Sequence, residues 1–475
     1  MKLGFLKKRI TLLILLGFVL ICAAFFLRAY FEPPKSVIVI TVDTLRADHT
    51  SLLGYKEEST PVLKQLASRG VSYSHAYSTS SSTAPSHASI FTGLYPSWHT
   101  IGLYNGQKKL HPSTETLAEI LNENGCRTIA VVSNPVLWAP LGLNQGFEVY
   151  DDKLEEREKN RGVPERYARR AIDIVLAWLE KQYEPFFMWI HLQDPHGPYT
   201  PVGKINCSGK EKIDEAVSLP AGNDHSGYKS IPKYQMFGAE RRISDYVYRY
   251  DCEISDTDYQ LGRLFAYLKK EKWFRNTLII LTADHGEALG EDDFYFAHGH
   301  SVGIDQVHVP LIISGVDVPR GIKIDSPVSN MSIFKTVLDF MDVDVPSGKH
   351  GTSLLSFDSD QSNEPVFVES INQTGIIYNN IFYRKDRYSK NDKAFWQRRN
   401  PNTGGIWMPL PKDEIKSLAQ TEQKIKIDDV SYLRNELVLY EEEASKARDA
   451  AGSLRQKVTL TPSQIKQLQS LGYIE

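Results

Sequence analysis

Hydrophobic residues in this chain gather in short unbroken blocks, each reached through a stretch of helical period. Val37-Ile38-Val39-Ile40-Thr41-Val42 is a largely β-branched run, the pattern of a strand buried on both faces, and it stops abruptly at Asp43. Thr128–Val132, Phe186–Ile190 and Thr277–Thr282 repeat the pattern. Helices are predicted from about Glu115 to Asn124, closed by Gly125, from Tyr167 to Leu179, and from Asp258 to Lys270. Another has Thr60 as its cap, Pro61 as its first residue, Val62, Leu63, Leu66 and Ala67 on one face, and Gly70 as its stop. Alternating helices and strands predict an α/β domain with a largely parallel central sheet.

Ligands of open α/β sheets bind beyond the carboxyl ends of the strands, and polar residues stand at those ends here. Asp43 follows the first block, His191 and Asp194-Pro195-His196 follow another, and Asp284-His285-Gly286-Glu287 follow the last. Between a serine run and the apolar stretch Ala88–Gly93 lies Thr83-Ala84-Pro85-Ser86-His87. Thr83 reads as a helix N-cap with Pro85 in the first turn, which sets a hydroxyl beside unpaired N–H groups and the positive end of the helix dipole. Such a position attracts anions and favours an alkoxide. Asp43 alone is equally an ordinary turn residue, and Thr83 alone an ordinary cap. Together, Asp43, Asp284, His285 and the Thr83 hydroxyl form a donor set for one divalent metal, and its O,O,N character suits Zn or Mn better than Ca. Ser86 and Glu287 read as structural, and His191 as a packed strand-end histidine.

The N-terminus carries a different signal. Lys7, Lys8 and Arg9 precede an apolar run from Ile10 to Leu27, long enough to span a bilayer, and Arg28 closes it. Without a small-x-small cleavage site, the run is expected to stay as an anchor rather than leave as a signal peptide. The expected organisation is a cytoplasmic tail at 1–9, an anchor at 10–27, a linker at 28–35, a catalytic domain at 36–345 and a C-terminal subdomain at 346–475. The positive flank places everything beyond the anchor in the periplasm or outside the cell. In the C-terminal part, strands are predicted at Pro365–Glu369 and Gly375–Asn379 and a helix at Thr461–Leu471; residues 203–240 read as a long loop. A net charge of -3 gives no basic excess for nucleic acid. Cys22, Cys126, Cys207 and Cys252 lack metal-finger or redox spacing. A Cys207–Cys252 disulfide is one expectation outside the cytoplasm, and buried free thiols are the other. Asn206, Asn330 and Asn372 begin glycosylation tripeptides short enough to arise by chance. Nothing in the sequence sets an oligomeric state.

Ile40-Thr41-Val42-Asp43-Thr44-Leu45-Arg46-Ala47-Asp48, Thr83–Gly93, Asp194-Pro195-His196-Gly197-Pro198-Tyr199, Tyr250–Asp258, Thr282–Glu287 and Val309–Ile312 follow one another in an order that resembles the sulfatase branch of the alkaline phosphatase superfamily. The resemblance implies an alkaline phosphatase-like α/β sandwich with a smaller C-terminal α+β subdomain. It also implies metal-dependent hydrolysis or transfer of a sulfate or phosphate ester on a small molecule, a lipid headgroup or a glycan. The departures matter as much. Family sulfatases carry Cys or Ser at the position of Thr83 and oxidise it to formylglycine; oxidising a Thr hydroxyl gives a ketone, so no formylglycine is expected. His87 stands for the family Arg as a substrate-binding residue, Thr44 for an Asp, and His285 for the Asn of the metal pair. Ala297-His298-Gly299-His300 stands where the family has a lysine. These changes resemble relatives that use an unmodified Thr, the phosphoethanolamine and phosphoglycerol transferases and related phosphodiesterases. On that likeness Thr83 is the nucleophile. His196 and His300 stabilise oxygen charge or protonate the leaving group, with His298 in reserve for substrate, or they complete a second metal site. A catalytically silent binding protein of the same fold is the remaining alternative.

Overall fold

The computed structural model describes Gly17 and residues 35–470 apart from 56–57, 103–108, 182–184, 202–217, 272, 358–363, 380, 388–393, 401–405, 410–427 and 453–459. Contacts divide the chain into Met1–Lys35 and Ser36–Glu475. Apart from Gly17 the expected anchor at 10–27 lies outside the described residues, and among those described no helix is long and apolar enough to cross a membrane.

The larger unit is built on one mixed sheet. Its strands are β1 (Ser36–Val42), β2 (Gly70–Tyr77), β3 (Arg127–Val131), β4 (Val149–Asp151), β5 (Phe186–Leu192), β6 (Thr277–Ala283), β7 (His308–Gly315) and β8 (Ile322–Ile324). They lie in the order β8-β2-β7-β6-β1-β5-β3-β4, with Val328–Ser329 pairing beside β2. All these pairs are parallel except those made by β7, which runs against both neighbours. The continuous apolar runs are explained by burial on both faces: every residue of β1, β5 and β6 is buried. Each large aliphatic side chain removed from water there contributes about 1.5–3 kcal/mol. Since only β7 is reversed, the carboxyl ends of the remaining strands open on one edge.

Helices α1 (Pro61–Ser68), α2 (Thr83–Thr92), α3 (Leu117–Glu123), α4 (Ala168–Leu179), α5 (Ile243–Lys270) and α6 (Ile333–Phe340) surround this sheet. The predicted helix near Glu115–Asn124 is α3, held at its start by a capping box between Thr116 and Glu119. Two expectations need correction. Thr60 makes no side-chain cap bond to α1; its hydroxyl accepts from Ser51 N, and the α1 amides of Val62 and Leu63 donate to Asp258 Oδ2 and Oδ1, both at 2.9 Å. The helix expected from Asp258 begins fifteen residues earlier, at Ile243, because Tyr246, Tyr250, Cys252 and Ile254 also turn a buried face inward. Residues 218–240 are not featureless: a 3-10 turn forms at Lys233–Gln235, and Ala221 bridges Ile231.

The C-terminal part is an antiparallel meander of β9 (Val366–Glu369), β10 (Gln373–Tyr378), β11 (Ile381–Asp386), β12 (Ala394–Asn400) and β13 (Ile406–Pro409), followed by α7 (Asp428–Gly452) and α8 (Pro462–Ser470). The predicted strands and the last helix are present, whereas α7 was not foreseen. Its buried stripe of Leu433, Leu437, Tyr440 and Ala444 has helical spacing but is diluted by charged residues. This part is stitched to the sheet edge by Glu369. Its N–H donates to Thr79 O at 2.8 Å, and its carboxylate receives Ser97, Arg387 and Tyr440.

Cys126 is buried and free, and Cys252 is disulfide-bonded; Cys207 lies outside the described residues. Asn330 is fully buried and donates to Ala283 O, so its tripeptide offers no accessible acceptor. Because Asp258 is the acceptor for two amides at the start of α1, Asp258→Ala is expected to lower the unfolding free energy by about 1–3 kcal/mol in urea titration. An unchanged midpoint would show that water replaces the carboxylate without cost.

Candidate active site and metal centre

The edge where the strands end carries the chemistry. Asp43 leaves β1 and is followed by Thr44 at φ 56°, a left-handed conformation that a β-branched residue rarely adopts. Such a position costs on the order of 1–3 kcal/mol and must be held by its surroundings. Tyr250 Oη on α5 holds it, donating to Thr44 O at 2.6 Å and accepting from Arg46 N at 3.0 Å. The turn aims Thr44 N at Asp284 Oδ1 (3.2 Å), which also receives His285 N (2.8 Å). One oxygen of Asp284 is thereby fixed by backbone, and the other is left for a ligand.

Thr83 is the first residue of α2 and Ser82 its N-cap, which corrects the expected register by one position. The hydroxyl still lies in the first turn, where N–H groups lack intrahelical acceptors. Thr83 Oγ1 is 3.1 Å from His285 Nε2. His285 Nδ1 lies 2.8 Å from Gly286 O, a carbonyl that can only accept, so Nδ1 carries the proton and Nε2 presents a lone pair. That lone pair is 3.7 Å from Asp43 Oδ1 and 3.6 Å from Asp284 Oδ2. These two oxygens are buried and have no hydrogen-bond partner among the described residues. Burial pushes the Asp43 carboxyl up to about 7 against the pull of His285 and of Asn134. Two orphaned carboxylate oxygens, an imidazole lone pair and a hydroxyl on one centre suit a divalent cation, which would satisfy all of them at once.

A second group, His87, His191 and Asp284, also falls within ligand distance. Its imidazoles are otherwise engaged. His87 donates from Nδ1 to Thr83 O (2.8 Å), while its Nε2 accepts from the hydroxyl of Thr41, whose oxygen takes Trp189 Nε1–H. His191 Nδ1 accepts from Ser133 N at 3.3 Å, so its proton is on Nε2, facing Asp43 Oδ2 across 3.5 Å. Burial holds His87 near 3 and His191 near 4, so both are neutral. The set with lone pairs to offer is therefore Asp43, Thr83, Asp284 and His285. His87 lies beneath it with both nitrogens occupied, and His191 forms its wall.

Sequence reasoning passed over Asn134 and Tyr250; His191 is fully buried at its strand end, as its reading as a packed histidine expects. Asn134 Nδ2 donates to Asp43 Oδ2 at 3.0 Å, and its own oxygen accepts Val136 N, which fixes the amide's orientation. It follows β3 as Asp43 follows β1, so the strand-end rule that found one would have found the other. Ser86 donates to Asp284 O at 2.5 Å and is a structural link.

Above the centre, the rings of His298 and His285 are 4.5 Å apart and those of His196 and His298 5.2 Å. His298 Nδ1 is 3.0 Å from Glu287 Oε1, and Tyr199 donates to Glu287 Oε2. Burial raises Glu287 to about 8 and lowers His298 to about 4. Both shifts favour a neutral pair in which the carboxyl keeps its proton, donates to Nδ1 and leaves an Nε2–H on His298. Burial also lowers His196 well below its ordinary range. His300 lies farther out: its ring stacks on Phe294 at 5.3 Å, and among the described residues no bond joins it to Thr83, Asp43, Asp284 or His285. Asp194 turns away to accept Ala168 N at the start of α4.

A sulfatase from Formosa agariphila is 26% identical over 367 residues, covering 67% of this chain and 72% of that protein. A structure described as a 2-O GAG sulfatase superposes with a TM-score of 0.65 at 18% identity, over 91% of this chain and 96% of the other. The phosphonate monoester hydrolase of Silicibacter pomeroyi gives 0.63 at 18% identity, over 86% and 96%. The model of the sulfatase family matches residues 35–343, through every strand end that carries the site. The chain thus belongs to the sulfatase family of ester hydrolases.

Proposed function

We propose that Thr83 is the nucleophile of a metal-dependent hydrolase acting on a phosphate-type ester, and that the sulfate ester is the second reading. The observation that carries it is the 3.1 Å contact between Thr83 Oγ1 and the lone pair of His285, fully buried beside two orphaned carboxylate oxygens. Asp43, Asp284, His285 and Thr83 would hold Zn or Mn, which in such sites lowers the pKa of a bound oxygen and neutralises charge on the ester. Thr83 supplies the attacking oxygen from the first turn of α2; His285 Nε2, which faces its hydroxyl at 3.1 Å, would be given to the cation, so the Thr83 proton would leave when the metal binds. Attack makes an O–P bond and breaks the bond to the leaving alcohol; water then cleaves the Thr83 ester. His298 and His196 are held neutral, so they serve as N–H donors to oxygens gaining charge rather than as stored imidazolium. His87 acts as a positioning residue under Thr83. Thr supports the phosphorus ester because it cannot yield formylglycine. The sulfate reading draws on the family and on the Formosa agariphila relative.

The apolar run at 10–27 and its basic flank support a single anchor with the hydrolase outside the cytoplasm, and the Cys252 disulfide fits an oxidising compartment. A phosphoethanolamine- or phosphoglycerol-type transfer uses the same first step with an acceptor hydroxyl replacing water.

Thr83→Ala is expected to lower kcat on 4-nitrophenyl phosphate or bis(4-nitrophenyl) phosphate by about a thousandfold or more, and intact-mass spectra of the quenched native protein should place the adduct on the Thr83 peptide. Undiminished turnover in that variant sinks the nucleophile. Elemental analysis of the purified protein should find about one equivalent of Zn or Mn, with activity lost to a chelator and restored by either ion; full activity in metal-free protein would remove the cation from the reaction. In intact cells, an external protease should reach residues 36–475, and activity should sediment with membranes; complete protection would overturn the topology.

A further inference from the structure

One cation stands at the mouth of the site, outside the metal centre and the histidines above it. Arg161 lies on the turn between the short strands Glu156–Arg157 and Pro164–Glu165. Its guanidinium is 4.2 Å from the centroid of the Tyr234 ring. Nε donates to Glu158 Oε2 at 2.7 Å, and Nη2 reaches Gly197 O at 3.4 Å. Gly197 directly follows His196. Tyr234 Oη and Gln235 Nε2 both donate to Phe296 O, two residues before His298. Asn160 locks the turn in place, donating to the carbonyls of Tyr234 and Met236. Arg161 is therefore wedged between the two segments that carry His196 and His298, and its charge is felt by both rings. Glu158 occupies one edge of the guanidinium and receives the amides of Asn160 and Arg161 as well. Among the described residues Nη1 has no protein partner, and the side chain keeps 10% of its surface exposed.

We propose that Arg161 forms a subsite for a second anionic group of the substrate, a further phosphate, sulfate or carboxylate on the same molecule. This rests on the ester-hydrolase reading and narrows its substrate class to esters that carry a second anionic group. The Thr83 centre handles one anionic group; the next oxyanion meets a guanidinium already oriented by Tyr234 and Glu158, so little side-chain freedom is lost on binding. Its planar fork presents N–H donors in the arrangement that an oxyanion accepts, whereas a lysine would present a point charge. A structural role restricted to the Glu158 turn would leave selectivity among anions untouched.

The test compares binding within two pairs, glucose 6-phosphate with glucose 1,6-bisphosphate and glucosamine 6-sulfate with glucosamine 2-N,6-O-disulfate, by calorimetry on the metal-loaded full chain. The native protein is expected to bind the member with two anionic groups in at least one pair tenfold or more tightly. In Arg161→Gln that ratio should fall below about twofold, and Arg161→Lys should retain part of it. No discrimination by the native protein overturns the proposal, as does an unchanged ratio in Arg161→Gln or equal weakening of both members. Should Arg161→Gln fail to fold, Arg161→Lys decides: a ratio identical to native overturns it. Calorimetry needs no turnover, so an enzyme inert toward aryl esters that still discriminates within a pair would count against the Thr83 chemistry alone.

Discussion

Asp43 and Asp284 face one another with no exposed surface, and everything around them answers the problem of keeping two carboxylates in a protein interior. Uncompensated burial of even one such charge is costly enough to drive proton uptake, as the upward shift of Asp43 indicates. Thr44 accepts a strained backbone so that its N–H can serve Asp284; Asn134 donates to Asp43; His285 turns a lone pair rather than a proton toward both. Each arrangement neutralises one oxygen and leaves the other open. A cation would complete the set, and the protein carries the same geometry forward to a hydroxyl on the adjoining helix.

That geometry depends on elements far from the chemistry. Tyr250 belongs to a 28-residue helix whose other end caps nothing near the site, yet its hydroxyl pins Thr44. Arg46 joins Asp48, Glu291 and the carbonyl of Glu287, tying the first strand end to the loop that delivers the upper histidines. From the C-terminal meander, Arg384 reaches Ser301 and Asp292 on that same loop. Polar bonds of this kind, buried and mutually satisfied, define a single arrangement more sharply than apolar packing does.

Much of this was legible in the sequence because the rules involved are local. A β-branched run ending in Asp43 announces both a doubly buried strand and a polar strand end, and the same reading placed Asp284 and His285. Local rules fail where a partner comes from elsewhere. Thr60 had the composition of a cap, but Asp258, nearly two hundred residues away, took the position. β2 was missed because Ser72, Ser74 and His75 interrupt its apolar residues, although neighbouring strands and the chain around it leave every residue buried. The histidines divide for the same reason. The sequence reading put His285 in the donor set and His191 in the packing, and the structure supplies the reason: the second nitrogen of His285 meets a carbonyl and that of His191 an amide. A ring's role as ligand or donor is decided by the atom behind it.

The serine run before Thr83 has the composition of a flexible tether. Ser78, Thr79, Ser80 and Ser81 are at most 1% exposed, and Ser78 Oγ meets both Ser80 O and Ser86 Oγ. Among the described residues the hydroxyls of Thr79, Ser80 and Ser81 have no hydrogen-bond partner, so what the crowded interior selects at those positions is small volume. Low-complexity composition here signals confinement: the segment leading to the Thr83 hydroxyl fills a narrow space between strand, helix and meander, and its monotony is imposed by lack of room.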